Sequence, residues 1–92
     1  MQQAVHAVVS GRVQGVMFRH FTQKNATTLG LVGEVQNMPD GTVQVIAEGK
    51  ESAIQQLISK LETGPLFARV DAVQATPAEP KGSFKSFSIV YD

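Results

Sequence analysis

Apolar side chains recur along the chain with two different periods, which indicate where strands and helices lie. Period-two alternation or β-branched content predicts strands over residues 4–10, 32–38, 42–48 and 69–76, and a last strand that carries Phe87, Ile89 and Tyr91. Pro39-Asp40-Gly41 is a turn signal between the second and third strands, so these two strands are expected to form a hairpin. Residues 77–82 are expected to form a polar loop.

Helical spacing predicts two helices between the strands. The first helix is expected to end near Leu29, with Gly30 as its C-terminal glycine, and its stripe consists of Phe18, Thr22, Ala26 and Leu29, widened by Phe21. The second helix carries Ile54, Leu57, Ile58 and Leu61 at i, i+3, i+4 and i+7, and Gly64-Pro65 ends it. Ser52 and Gln55 could form a capping box at its start, or the helix could begin at Lys50 or Glu51.

The predicted order of elements is βαββαβ with an additional C-terminal strand. Two helices can cover only one face of a sheet, so the fold class is α+β, a two-layer sandwich with an antiparallel-rich sheet. This order is the ferredoxin-like arrangement. A chain of 92 residues without repeats or linkers is expected to be a single domain spanning 1–92. Because this fold hosts many functions, it does not define this one.

Composition excludes several kinds of site. The chain has no cysteine, which excludes disulfides, thiolate metal sites and cysteine nucleophiles, and its two histidines, His6 and His20, are far apart. We therefore expect no metal and no cofactor, with His6 on a strand face. Eight basic and eight acidic residues cancel, so the basic footprint of a nucleic-acid binder is missing. Without a signal-peptide pattern or an apolar run of about 18 residues, a cytoplasmic protein with no membrane partner is expected.

The start of the first helix lacks the residues that normally cap one. Residues 14–18 offer no capping side chain, and the first turn carries Arg19 and His20 instead of acids. A bound anion would accept the free N–H groups, lie at the positive end of the helix dipole and pair with Arg19. Gly11 and Gly15 would let the backbone approach such a ligand. The alternative is a water-capped helix start with two ordinary turn glycines.

Two segments resemble the signatures of the acylphosphatase family. Residues 11–19, Gly-Arg-Val-Gln-Gly-Val-Met-Phe-Arg, resemble the first, G-x-V-Q-G-V-x-F-R, and residues 29–43 resemble the second, with its G-x-V-x-N-x-x-D-G-x-V core. The resemblance extends over the whole chain, through Gly64-Pro65 to the aromatic last strand. Glu34 departs from it, since family members often carry an aromatic residue there. That departure concerns the packing of one sheet face and not the phosphate loop.

The resemblance implies a hydrolase that cleaves the carboxyl–phosphate bond of small acyl phosphates without a metal, a cofactor or a covalent phosphoenzyme. It implies that a backbone cradle binds the phosphate, that Arg19 clamps it and that Asn37 holds the attacking water. The cradle consists of Gly15, Val16, Met17, Phe18 and Arg19. Inorganic phosphate is expected as product and inhibitor, and the protein is expected to be a monomer.

The chemistry of acyl phosphates suits this set of residues. The leaving carboxylate has a conjugate acid with a pKa of about 4, so it needs no general acid. Phosphoryl transfer requires mainly positioning and charge stabilisation, which Arg19 and a row of N–H groups can supply. Asn37 cannot act as a base at neutral pH, but its amide can orient a water molecule. Taken without the resemblance, Asn37 is better explained as a residue flanking the turn.

Two other functions share the predicted fold. An RNA-binding module of the RRM type has the same order of elements but stacks bases on aromatic residues of its central strands, and residues 4–10 and 42–48 contain none. A regulatory domain that binds a small ligand is the second alternative, and nothing in the sequence excludes it. A nucleotide P-loop is excluded because the Gly-x-x-x-x-Gly-Lys-Ser/Thr pattern is absent.

Overall fold

A computed structural model describes residues 2–91 as a five-stranded mixed sheet with two helices packed on one face. The elements are β1 Gln3–Arg12, α1 Phe18–Thr28, β2 Val32–Asn37, β3 Val43–Gly49, α2 Glu51–Thr63, β4 Arg69–Ala78 and β5 Phe87–Val90. The strand order is β4-β1-β3-β2-β5, with β5 parallel to β2 and the other neighbours antiparallel. The predicted ferredoxin-like α+β sandwich with an additional strand is confirmed. Within the described residues, no helix is long and apolar enough to span a membrane.

The core lies between the sheet and the two helices. Alternate positions of the two central strands face the helices and are buried: Val5, Ala7, Val9, Val43, Val45 and Ala47. The predicted stripe of α1 is confirmed at Phe18, Thr22 and Ala26, whereas Phe21 and Leu29 are only half-buried. The Thr22 hydroxyl donates to the Phe18 carbonyl at 2.9 Å, which satisfies the one polar group of the stripe.

The predicted stop of α1 is confirmed and the predicted capping box of α2 is wrong. Gly30 has φ 76°, and the N–H groups of Gly30 and Leu31 donate back into the last turn of α1, as in a Schellman motif. Helix α2 begins at Glu51 after Lys50, and no side chain caps it. Because the helix begins one residue before Ser52, that hydroxyl lies inside the first turn and not at the cap.

Strand β1 extends two residues beyond its predicted end and includes Gly11. Its pairing with β4 shifts between Ser10 and Gly11, which makes a β-bulge. Gly11 has φ 124°, and a Cβ there would collide with the Arg69 carbonyl and lie 2.7 Å from the Asp71 nitrogen. The close approach of two strands thus explains the glycine at position 11, for which the sequence suggested a part in anion binding.

The ends of β4 and β5 also differ from prediction. Strand β4 continues through Pro77 to Ala78, where a loop is predicted; it lies at the edge of the sheet, so the missing N–H of Pro77 is tolerated. Strand β5 ends at Val90, which leaves Tyr91 outside it. The loop between β4 and β5 is attached to the sheet by the buried Glu48 of β3. Its carboxylate accepts hydrogen bonds from the N–H groups of Lys81 and Gly82, at 2.8 and 3.2 Å.

The strand register brings several loops together at one end of the sheet, here called the loop end. The last residues of β1, β2 and β5 and the first residues of β3 and β4 all lie there. The segment that leads into α1, the turn between β2 and β3, the loop before β4 and Tyr91 therefore share this end. Glu34 lies near the start of β2, half-buried and opposite Ile46, and therefore away from the loop end.

Candidate active site

The segment between β1 and α1 has an unusual backbone conformation. Gly15 has φ 76° and Met17 has φ 66°, whereas Val16 between them does not have positive φ. Met17 is the one non-glycine residue among residues 2–91 with positive φ. Such alternation turns successive N–H groups toward one side, a geometry that binds anions. A left-handed residue other than glycine costs about 1–2 kcal/mol, and strain of this kind gathers at ligand sites.

The prediction that α1 begins without a cap is confirmed. Met17 is its N-cap residue, no side chain caps it and no acid lies in its first turn. The N–H groups from Gly15 to Arg19 have no hydrogen-bond acceptor among the described residues, and the first bonded N–H of the helix is that of Phe21. Helix α2 also lacks a side-chain cap, but it has Glu51 in its first turn. The missing cap alone does not mark a site; left-handed backbone and a basic first turn distinguish α1.

A cavity of about 240 Å³ opens beside this segment and collects the predicted site residues. It is lined by Val13, Gly15, Met17, Phe18, Arg19, His20, Asn37 and Tyr91. Of the predicted residues only Val16 is missing from the lining, because its side chain packs against the core. No lining residue is acidic. The cavity thus combines Arg19 with the uncapped start of α1, the two features from which the sequence predicts an anion site.

Two larger depressions lie elsewhere and lack this chemistry. One of about 460 Å³ lies at the opposite end of the sheet and includes Gly30, Gly49 and Lys50. The other, of about 340 Å³, runs between α2 and the sheet edge and has no basic residue in its lining. Neither combines a cation with a buried unpartnered amide, so size does not identify the site.

Arg19 lies against the ring of Tyr91. The guanidinium carbon is 5.0 Å from the ring centroid, within the range of a cation–π contact. Arg19 forms no ion pair with a carboxylate of residues 2–91, where the Arg69–Asp71 contact is the one ion pair found. The sequence assigned Tyr91 only to the last strand, so this contact was missed. The guanidinium thus contacts an aromatic ring and no carboxylate of residues 2–91.

Asn37 lines the cavity and carries an unsatisfied buried atom. It is the last residue of β2 and shares the helix-facing side of that strand with Val35. Its Oδ1 is buried and has no hydrogen-bond partner among the described residues. Leaving a buried acceptor unpaired costs about 1–3 kcal/mol, so such atoms normally receive a donor from water or a ligand. Asn37 thus keeps an acceptor without a donor in the wall of the cavity.

Gln14 connects the two halves of the site, a role that the sequence did not reveal. Its Nε2 donates to the carbonyls of Met38 and Thr42 at 2.9 and 2.8 Å. These carbonyls belong to the turn that follows Asn37, 24 residues further along the chain for Met38. No local sequence signal predicts a contact between a loop and a turn so far apart. The Gln14 amide fixes the cradle relative to Asn37.

The turn itself is held by Asp40, as predicted. Its carboxylate accepts hydrogen bonds from the Thr42 hydroxyl at 2.6 Å and from the Thr42 N–H at 3.0 Å. The Thr42 hydroxyl, followed by the N–H, holds the pKa of the Asp40 carboxyl below its usual value. Gly41 takes the left-handed position with φ 92°. The turn is therefore ordered by its own residues, and Gln14 attaches it to the cradle.

We predict that Gln14→Ala lowers the free energy of unfolding by about 1–3 kcal/mol, because two carbonyls lose their shared donor. For a domain of this size each kcal/mol corresponds to about 4–8 °C in Tm. Chemical denaturation and melting curves measure the change. Gln74→Ala, an exposed position on β4, is the control and should stay close to wild type. A Gln14 variant as stable as the Gln74 variant would show that this link contributes nothing.

Comparison with known proteins identifies the family. The family model described as Acylphosphatase matches residues 5–89. A protein named acylphosphatase from Methanococcoides burtonii is 49% identical over 81 residues, which cover 88% of this chain and 84% of that protein. Another from Caldanaerobacter subterraneus subsp. tengcongensis is 44% identical and covers 97% and 99% of the two chains.

A solved structure agrees with these relatives. The crystal structure of acylphosphatase from Bacillus subtilis superposes with a TM-score of 0.93 at 38% identity, covering 99% of this chain and 100% of that one. The family model matches nearly the whole chain, and the likeness extends to both ends of the fold. This chain belongs to the acylphosphatase family.

Proposed function

We propose that the cradle from Gly15 to Arg19 binds the phosphoryl group of an acyl phosphate while Asn37 directs a water molecule onto its phosphorus. Acyl phosphate hydrolysis is the activity of the family to which the chain belongs. The observation that carries the assignment of residues is their meeting in one cavity. There Gly15, Met17, Phe18, Arg19 and Asn37 line the same space, the start of α1 is uncapped, and Asn37 Oδ1 has no hydrogen-bond partner among the described residues.

Charge stabilisation comes from the cradle. The N–H groups of an uncapped helix start point at the ligand and lie at the positive end of the dipole. Arg19 adds a planar fork that meets two phosphoryl oxygens at once. Fixed donors of this kind stabilise the charge on the equatorial oxygens as the bond to the leaving group breaks. The transition state thus receives its charge partners from the protein without rearrangement of the cradle.

Positioning of the nucleophile comes from Asn37. Its Oδ1 accepts a hydrogen bond from water, which leaves a lone pair of the water oxygen free to face phosphorus. A bond forms from that oxygen to phosphorus, the bond from phosphorus to the acyl oxygen breaks, and the electron pair leaves with the carboxylate. One proton of the water stays on the oxygen that attacks, and the other passes to an oxygen of the phosphate. No general acid is required, because the leaving carboxylate is a weak base.

The reaction proposed here uses no metal or cofactor and no covalent phosphoenzyme. Within residues 2–91, no three His, Asp or Glu side chains converge on a point where an ion could bind. Arg19 and the N–H groups supply the positive charge that a metal ion supplies in other phosphoryl-transfer enzymes. Inorganic phosphate, the product, fits the same cradle and is proposed to inhibit.

The remaining properties of the protein are proposals of the same kind. We infer that residues 1–92 act as one domain, in a cytoplasmic monomer whose partner is its small substrate and not nucleic acid. The near-zero charge and the lack of aromatic residues on β1 and β3 support the inference that nucleic acid is not a partner. The RNA-binding and regulatory alternatives are not favoured by the relatives found.

Asn37→Ala should abolish most turnover and leave phosphate affinity almost unchanged. The reason is that Asn37 is assigned to water, which matters to the reaction and not to binding of the ground-state anion. Initial rates with an acyl phosphate in the presence of chelator, together with the inhibition constant of phosphate, measure both quantities. Gln36→Ala, on the other face of β2, is the control. A parallel loss of rate and phosphate affinity in Asn37→Ala would place Asn37 in the cradle or the fold.

Arg19→Lys should lower the rate by about two to three decades, the loss expected for one preorganised donor. Both residues are positive, so the substitution isolates the planar fork from the charge. Stability should barely change, since a cation at a helix start is unfavourable in either form. Arg12→Lys is the matched control, because Arg12 is exposed at the end of β1 and does not line the cavity. Steady-state kinetics and melting curves at one salt concentration compare the three proteins. Near-normal turnover by Arg19→Lys, or damage by Arg12→Lys, would mean that the clamp is assigned to the wrong arginine.

A further inference from the structure

Four large apolar side chains in residues 2–91 are strongly exposed, and two of them line the active-site cavity. Met17 is 66% and Tyr91 65% exposed, and both face the cavity. Leu66 and Phe67, 88% and 77% exposed, lie in the loop before β4 and outside the cavity lining. Apolar surface beside a polar anion site is a common way to recognise the apolar part of an anionic ligand.

The cavity has room for more than a phosphoryl group. Its volume of about 240 Å³ corresponds to roughly eight water molecules, whereas a phosphoryl group has only four heavy atoms. In the proposed function the cradle holds the phosphoryl group, and the remaining space is open to the acyl group of the substrate. Of the polar side chains in the wall, Arg19 and Asn37 are assigned to the phosphoryl group and the water, which leaves His20 without a role. Met17 and Tyr91 are the large exposed apolar side chains left to contact the acyl group.

We propose that Met17 and Tyr91 form an acyl subsite that selects acyl phosphates with an aromatic or other flat apolar acyl group over small ones such as acetyl. This inference rests on the proposed function, because it requires the phosphoryl group to lie in the cradle. The Tyr91 ring centroid lies 5.0 Å from the Arg19 guanidinium carbon, so the ring is placed beside the cradle. The flexible thioether of Met17 adapts to a ring and makes favourable sulfur–aromatic contacts.

Tyr91 also contacts Arg19, so a simple loss of rate would not separate an acyl subsite from a support for the clamp. A support acts on the phosphoryl group and changes kcat/KM for every acyl phosphate by the same factor. A subsite changes the ratio of kcat/KM between two acyl groups. Met17→Gln keeps side-chain length and removes apolar character, and Tyr91→Ser removes the ring.

The experiment measures kcat/KM for benzoyl phosphate and acetyl phosphate with wild type, Met17→Gln, Tyr91→Ser and the control Phe67→Ser. Wild type should prefer benzoyl phosphate by about tenfold or more, the effect of burying part of one ring. The preference should fall about threefold in Met17→Gln and about tenfold in Tyr91→Ser. Phe67→Ser, equally apolar and exposed but outside the cavity, should keep the wild-type ratio.

A binding measurement keeps this test independent of turnover. Calorimetric titration with phenylphosphonate and methylphosphonate gives a ratio of binding affinities that does not depend on turnover. This affinity ratio should fall in the same two variants. Equal losses for both acyl groups and both phosphonates would overturn the subsite and leave Tyr91 as a support for Arg19. Absence of turnover with both substrates in wild type would overturn the proposed function, and the phosphonate ratio would then decide the subsite alone. If Tyr91→Ser fails to fold in a melting curve, the ratio for Met17→Gln decides.

Discussion

The positive end of α1 has no negative partner within residues 2–91, and the rest of the site is arranged around that fact. A left-handed Met17 costs about 1–2 kcal/mol, and a cation at a helix start costs up to about 1 kcal/mol more. A chain selected for stability alone would place Ser or Asp before Phe18 and an acid after it. In the proposed function the ligand supplies this partner, because an anion accepts the N–H groups and offsets the unfavourable position of Arg19 when it binds.

The sheet makes this arrangement rigid enough to act on a reacting group. The cradle follows β1, and Asn37 ends β2; the two strands are separated only by β3, so their ends lie side by side. Gln14 then joins the cradle to the turn after Asn37 with two short hydrogen bonds. In the proposed mechanism the nucleophile and the phosphoryl group are held by different elements, so this link sets the distance between them. Positioning of that kind is a large part of what phosphoryl transfer requires.

The sequence predicts the layers of the fold because each stretch of periodic apolar residues fits either a helix or a strand and not both. The stripe of α2 and the alternation of β3 each have one interpretation, and Gly30 and Gly64 mark helix ends. The boundaries that fail are those set by tertiary pairing: Pro77 lies in β4 only because β4 is an edge strand, and Gly11 lies in β1 because of its bulge against β4. Neither feature has a local signal.

The candidate site shows the same division. The uncapped start of α1 was predictable from residue types alone, and Asn37 became a candidate through the resemblance of residues 29–43. The left-handed Met17, the Gln14 link and the Tyr91 ring against Arg19 were not predicted. Each depends on a backbone conformation or on a partner distant in sequence, and methionine at positive φ contradicts ordinary residue preference.

The most direct test of the central claim is titration of ¹⁵N-labelled protein with inorganic phosphate, followed by amide chemical shifts and compared with a matched chloride titration. We expect saturable shifts that are largest for the N–H groups from Gly15 to Arg19. The start of α2 at Glu51 is the internal control, since it also lacks a side-chain cap but has its own acid, and it should stay unchanged. Shifts of equal size at both helix starts, or no saturable shift at the start of α1, would contradict the claim that this segment is the phosphate cradle.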